Sequence, residues 1–126
     1  DVKDLLSIDY TSAYSTPSLD KLVRTFVYDR QGKGSFTVGD EFTANAPIRF
    51  ETAITTQANW KIIDDTHLLL TTGTEQMTVT IEASGKVTIT SETIEVNSPA
   101  YTRIGISLKE QSKDGYIRLT MRTKQL

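Results

Sequence analysis

Residues 22–50, LVRTFVYDRQGKGSFTVGDEFTANAPIRF, decide how the rest of the chain is read. Val23, Phe26, Val27 and Tyr28 give Leu22 to Arg30 a β-type composition. Gly32 and Gly34 supply a turn, and Ser35 to Val38 resumes the alternation, so the stretch is a hairpin. Phe26 and Tyr28 share one face of the first strand while Val23 and Val27 share the other. A strand apolar on both sides is packed from two directions, which predicts a central strand. Asp40 to Asn45 reads as a polar connection. Ile48, Phe50, Thr52 and Ile54 then line one face of a half-buried strand.

Toward the N-terminus, Leu5 to Tyr10 suits a short strand and Thr11 to Ser18 a polar loop. Thr16 before Pro17 has the form of a helix N-cap, so Ser18 to Lys21 is expected to make one helical turn. Toward the C-terminus, Trp60, Ile62 and Ile63 are separated from Leu68 to Leu70 by Asp64-Asp65, which predicts a hairpin across an acidic turn. Met77, Val79 and Ile81 alternate with polar residues up to Ser84-Gly85. Val87 and Ile89 alternate after it, which reads as a second hairpin. Ile94 and Val96 continue the two-residue period and Pro99 breaks it. Ile104, Ile106 and Leu108 restart it up to an expected turn at Lys113 to Gly115, and Ile117, Leu119 and Met121 finish it. About ten short strands with turns every ~8 to 12 residues and no helical period predict an all-β antiparallel sandwich, a closed barrel being the alternative.

A chain of 126 residues suits one domain spanning 1–126, and at that length roughly two thirds of the unfolded surface can be buried. There is no cysteine, so neither disulfides nor thiolate metal sites contribute. Fourteen basic and sixteen acidic residues leave a charge of -2; this is not the global basic field of a dedicated nucleic-acid binder. No apolar run approaches the ~20 residues of a helical membrane span. The start, DVKDLLSIDY, lacks an initiator methionine and a signal-peptide pattern, which predicts a piece of a longer protein.

The run IDYTSAYSTPSLDKLVRTFVYDRQGKGSFTVGDEF contains an Asp-x-Thr-x-Ala-Tyr element at Asp9 to Tyr14, an arginine-containing strand from Arg24 to Arg30, and a Val-x-Asp-x-Phe element at Val38 to Phe42. With the later stretch SPAYTRIGISL, Ser98 to Leu108, it resembles the C-terminal β-rich region of heparinase II/III-like polysaccharide lyases. The resemblance implies a β-sandwich attached to an N-terminal helical catalytic domain of the same parent chain. It also implies a periplasmic or secreted location and a parent enzyme that cleaves uronic-acid polysaccharides by β-elimination. The family's catalytic Tyr, His and Asn lie outside the region that this chain resembles, so no catalytic residue is carried over.

Individual side chains add candidates. His67 is the sole histidine, too few for a His-rich metal site or a His-plus-nucleophile pair, and a role beside a turn is expected. Asp64-Asp65 and Asp40-Glu41 lack the spaced oxygen ligands that calcium takes, and solvated turns are expected. Glu82, Glu92 and Glu95 are read as exposed strand acids rather than a glycosidic carboxylate pair. Tyr10, Tyr14, Trp60 and Tyr101 suit stacking on sugar rings, against an ordinary reading of Trp60 as core and the tyrosines as sandwich edges. Arg118 and Arg122 share a strand face, a small basic patch suited to acidic glycan. With Tyr101 and Trp60 they form the candidate glycan contacts. Arg24 interrupts an apolar face and is expected to be buried and ion-paired, with Asp9 or Asp40 as partner. No cofactor, metal, nucleic acid or membrane span is assigned to this chain.

Overall fold

The structure, a computed structural model, describes residues 3–14, 16–95 and 99–124. The strands are β1 (Lys3–Asp9), β2 (Leu19–Asp29), β3 (Ser35–Ile48), β4 (Glu51–Thr56), β5 (Asn59–Asp64), β6 (His67–Thr72), β7 (Glu75–Ala83), β8 (Val87–Ile94), β9 (Tyr101–Leu108) and β10 (Ser112–Lys124). They form an antiparallel β-sandwich. Its larger sheet has seven strands in the order β1-β2-β3-β10-β7-β6-β5, and its smaller sheet has three, β4-β9-β8.

The alternation of the sequence settles which face looks inward. Leu22 and Phe42 of the larger sheet, then Ile117, Leu119, Val79, Ile81 and Leu68, point at Phe50, Ile104, Ile106 and Leu108 of the smaller sheet and its approach, forming one buried core. Burying side chains of this size contributes about 1.5–3 kcal/mol each before the entropy of ordering them is counted. The Phe42 and Phe50 rings stack with centroids 4.5 Å apart. That stack pins the point where the chain leaves β3 and crosses to the smaller sheet.

The structure changes several sequence expectations. The turn at Ser84-Gly85 is no hairpin: β7 pairs with β6 and β10, while β8 pairs with β9 in the other sheet. Val79 and Ile81 meet the smaller sheet across the interior, so the two-residue period identifies both strands but says nothing about which strand lies beside which. Asp40 to Asn45 is no connection but the middle of β3, where Asp40 and Phe42 face inward and Glu41, Thr43 and Asn45 face out. The Ile48–Ile54 stretch is divided, because the chain changes sheets at Arg49-Phe50 while keeping its inward parity. Ser18 to Lys21 makes no helical turn. The Leu19 N–H donates to the Thr16 carbonyl at 3.1 Å, which places Pro17 in a tight turn that feeds β2. A short 3₁₀ helix lies instead at Thr11–Ala13.

β10, not β2, occupies the middle of the larger sheet. Lys113 to Gly115 belongs to β10, and the chain reverses before it. Gly115 is needed for close approach: a Cβ there would lie 2.6 Å from Ser84 Oγ and 3.1 Å from Phe42 Cε1. Val96 and Ser98, part of two expected strand segments, lie outside the described residues.

Candidate functional site

The segment between β1 and β2 is fastened to the first hairpin by side chains. The Asp9 carboxylate accepts from the Thr11 N–H at 2.9 Å and the Thr11 hydroxyl at 2.6 Å. These bonds hold its pKa below the usual aspartate value. Thr11 Oγ1 in turn accepts from the Leu22 N–H at 2.8 Å, and the Tyr10 N–H donates to the Leu22 carbonyl at 2.7 Å.

One step along β2, Arg24 lies directly opposite Asp40 of β3. Arg24 Nε donates to Asp40 Oδ1 at 2.6 Å and Nη2 donates to Oδ2 at 2.8 Å, a bidentate pair. The Asp40 side chain is 4% exposed and that of Arg24 31% exposed, so the arginine is half-buried rather than fully buried. The hydrogen bond to Asp40 raises the Arg24 pKa, against an opposing contribution from burial. The Tyr10 ring lies 5.5 Å from the Arg24 guanidinium carbon, a cation–π distance. Asp9 does not pair with Arg24; its work is to hold the Thr11 turn. A cavity of about 260 Å³ adjoins this cluster, lined among others by Tyr14, Leu22, Asp40, Arg49 and Glu51.

A second polar cluster lies on the outer face of the smaller sheet. Arg103 Nη2 donates to Glu51 Oε2 at 2.7 Å and Ser107 Oγ donates to Oε1 at 2.8 Å. The hydrogen bonds from Arg103 and then Ser107 hold the Glu51 carboxyl below its usual pKa. The carboxylate lies across Gly105, where a Cβ would come 2.7 Å from Glu51 Oε1. Glu51 was missed in the sequence because its partners are more than fifty residues away. A glycine between Ile104 and Ile106 inside a strand was the available signal, since it marks a close approach.

Of the proposed glycan contacts, Arg118 and Arg122 share one face as expected, and Tyr101 and Trp60 lie elsewhere. Arg118 and Arg122 are on the outer face of the larger sheet, where Arg118 Nη1 donates to Glu82 Oε2 at 2.9 Å and its guanidinium lies 5.2 Å from the Tyr116 ring. Arg122 is exposed beside a shallow cavity shared with Lys33 and Asp29. Tyr101 starts β9 on the outer side of the smaller sheet. Trp60 is half-buried on β5, packed at the margin of the core. His67 Nδ1 is 2.8 Å from Asp64 Oδ1 and 3.0 Å from Thr66 Oγ1 in the β5–β6 turn. The Thr66 N–H and His67 keep the Asp64 carboxyl below its usual pKa. Among the described residues no three or more His, Cys, Asp and Glu side chains gather to hold a metal ion.

The larger sheet outreaches the smaller one. Beyond the core its inner face carries Leu6 opposite Phe26 and Tyr28 opposite Phe36, with Leu6 57%, Tyr28 45% and Phe36 38% exposed. The Phe26 and Phe36 rings stack at 6.1 Å. Arg30 pairs with Asp4 and lies 5.9 Å from the Tyr28 ring. The sequence places Phe26 and Tyr28 on one face of a strand apolar on both, but does not reveal that the covering sheet has three strands among the described residues.

No protein-family model matches the chain, and the search of curated proteins returns no match.

Proposed function

We propose that this chain is the accessory C-terminal β-sandwich of a heparinase II/III-like lyase, a periplasmic or secreted enzyme that degrades uronic-acid polysaccharides by β-elimination. In that chemistry a base removes the C5 proton beside the carboxylate and an acid protonates the leaving oxygen. Both groups belong mainly to the N-terminal helical domain and to an earlier part of the sandwich, outside the region this chain resembles, and this module supports the catalytic domain and contacts acidic glycan.

One observation carries the reading. Three of the four short elements behind the resemblance, carried by the successive strands β1, β2 and β3, meet in a single cluster: Asp9 and Thr11 hold Leu22, Tyr10 stacks on Arg24, and Arg24 closes on Asp40 beside Phe42; the fourth, which contains β9, belongs to the smaller sheet. β1, β2 and β3 are successive paired strands, so their neighbourhood follows from the fold; the support lies in the motif residues Asp9, Thr11, Arg24 and Asp40 themselves making these contacts. The test is the coding sequence upstream of Asp1. A helix-rich region bearing Tyr, His and Asn supports the reading, and an unrelated upstream region or none refutes it.

A second reading, a free-standing carbohydrate-binding or adhesive sandwich without catalysis, is favoured by the uncovered aromatic ledge of Phe26, Tyr28 and Phe36. Flat rings with polar neighbours suit sugar faces. Glycan retention that is lost in Tyr28→Ala, from a protein with no lyase region upstream, would establish it in place of the first.

A further inference from the structure

We propose that β1 is a dimerisation edge, along which two copies of this chain pair antiparallel about Leu6 and join their larger sheets into one. The first support is that β1 is an unguarded edge. Edge strands are ordinarily blunted by proline, bulges or central charges. β1 instead pairs with β2 in unbroken register from Lys3 to Asp9, and its middle, Leu5-Leu6-Ser7-Ile8, is uncharged. The opposite edge of the same sheet, β5, carries a register irregularity between Ile62 and Asp64. Leu5 is 70% exposed on one face of β1 and Leu6 57% exposed on the other.

Hydrogen-bond parity supplies the second support. The Tyr10 N–H points to the Leu22 carbonyl of β2, so along this antiparallel ladder the backbone groups of Ile8, Leu6 and Asp4 also point to β2. Those of Lys3, Leu5, Ser7 and Asp9 point away from the sheet. A two-fold axis at Leu6 sets Leu5 against Ser7 of the second copy and Lys3 against Asp9, which are the residues whose donors and acceptors face outward. Leu6 then meets Leu6 as a non-hydrogen-bonded pair, where side chains approach most closely.

Charge selects this register from the neighbouring ones. It places Lys3 opposite Asp9 at both ends of the shared ladder, whereas a shift of two residues in either direction sets one of those charges against Leu5 or Ser7. Within its own chain the exposed Lys3 lies 3.8 Å from Asp29 and Asp9 accepts from Thr11 through Oδ1, so both can share a second partner across the edge. An isologous contact of this kind closes on itself and stops at two chains. It also makes the Leu6, Phe26 and Phe36 ledge of one copy continuous with that of the other.

The experiment is light scattering and sedimentation of the purified 126-residue chain over a concentration series up to millimolar, with three variants. The mass is expected to rise from 14.0 kDa to twice that value. Leu5→Pro removes an N–H that points to solvent in the single chain, a position where an edge strand tolerates proline, and is expected to hold the mass at the single-chain value without changing the circular dichroism. Lys3→Asp and Asp9→Lys each place like charges opposite one another and weaken association. Asp9→Lys also frees the Thr11 turn, so the deciding result is that an equimolar mixture of the two restores association, which repair of charge pairing explains and a loosened turn does not. A mass that stays at the single-chain value throughout overturns the proposal. So does a dimer that survives in the folded Leu5→Pro variant.

Discussion

Replacing Arg24 by methionine isolates the energetics of the cluster that holds the hairpin to the segment before it. Methionine keeps much of the aliphatic volume and removes the fork, so the buried Asp40 carboxylate, 4% exposed, loses its bidentate partner and stays in a nearly dry position. Breaking a buried pair in this way costs about 3–5 kcal/mol. Because 31% of the arginine side chain is solvent-accessible, water can reach one side of the site, and the low end, about 3 kcal/mol, is the expected loss. For a domain of this length, 1 kcal/mol corresponds to ~3–4 °C, so melting should fall by roughly 10 °C. Asp40→Asn is predicted to cost less, about 1–2 kcal/mol, because it leaves behind a half-exposed arginine whose head can turn to solvent. The Arg24→Met/Asp40→Leu double variant should recover a large part of the loss, since no unpaired charge remains inside. Urea unfolding followed by circular dichroism reads all three. An Arg24→Met protein melting within about 2 °C of the parent, or a larger loss in Asp40→Asn than in Arg24→Met, would refute the argument that the unpaired buried carboxylate dominates.

Two glycines should respond in a set order. Gly115→Ala drives a methyl toward Ser84, Leu108 and Phe42 and is expected to cost about 1–3 kcal/mol as core overpacking, whereas Gly105→Ala meets the side-chain ends of Glu51 and Thr90 on the outer face, at about 1 kcal/mol for the hydrogen bonds lost. Equal urea midpoints for the two would contradict the close approach at Gly115. Glu51 also gives a signed pH effect. Its pKa is depressed in the folded state, so its contribution is present above the unfolded carboxyl value of ~4.3 and disappears as pH falls through the folded one. Glu51→Gln should therefore flatten the fall in stability as pH drops below the unfolded carboxyl value of ~4.3, and an unchanged slope would show that Arg103 and Ser107 do not favour the charged form. In the β5–β6 turn, Thr66→Ala and His67→Ala should shift melting by no more than about 2 °C, as exposed contacts do; a drop several times larger would assign the turn a structural weight that its exposure denies it.

The all-β sandwich was legible because Met77 to Ile81, Val87 to Ile89 and Ile117 to Met121 keep a strict two-residue period, and period is a local property. Sheet membership was not legible. Ser84-Gly85 reads as a hairpin turn whether the next strand lies beside the last or across the core, and only the pairing of β7 with β10 and of β8 with β9, fixed by distant segments, decides between them. Asp40 was misplaced in a loop for a related reason: an acid is expected outside until its partner is known, and that partner sits sixteen residues earlier on a facing strand. Arg24 was easier, since a cation among Val23, Phe26 and Val27 demands a counter-charge, and two aspartates were within plausible reach. The glycan contacts were drawn from residue type, except that the two-residue period put Arg118 and Arg122 on one strand face, where the structure also has them. Arg118, Tyr101 and Trp60 have suitable chemistry but face three different directions, and face depends on topology rather than on composition. The aromatic ledge went unseen because nothing local reports how wide the covering sheet is.

The central claim, that this sandwich belongs to a uronate-polysaccharide lyase without being the catalyst, is tested most directly by following the ultraviolet absorbance of unsaturated product. Purified parent protein and the isolated 126-residue chain would be compared on a panel of heparin-like and alginate-like substrates. General acid–base chemistry of this kind needs a base within hydrogen-bond reach of the C5 proton in a preorganised cleft. The parent is expected to give steady product on at least one substrate and the isolated chain none. Steady product from the isolated chain that His67→Ala abolishes, or a parent inactive on every uronate polysaccharide, would contradict the account.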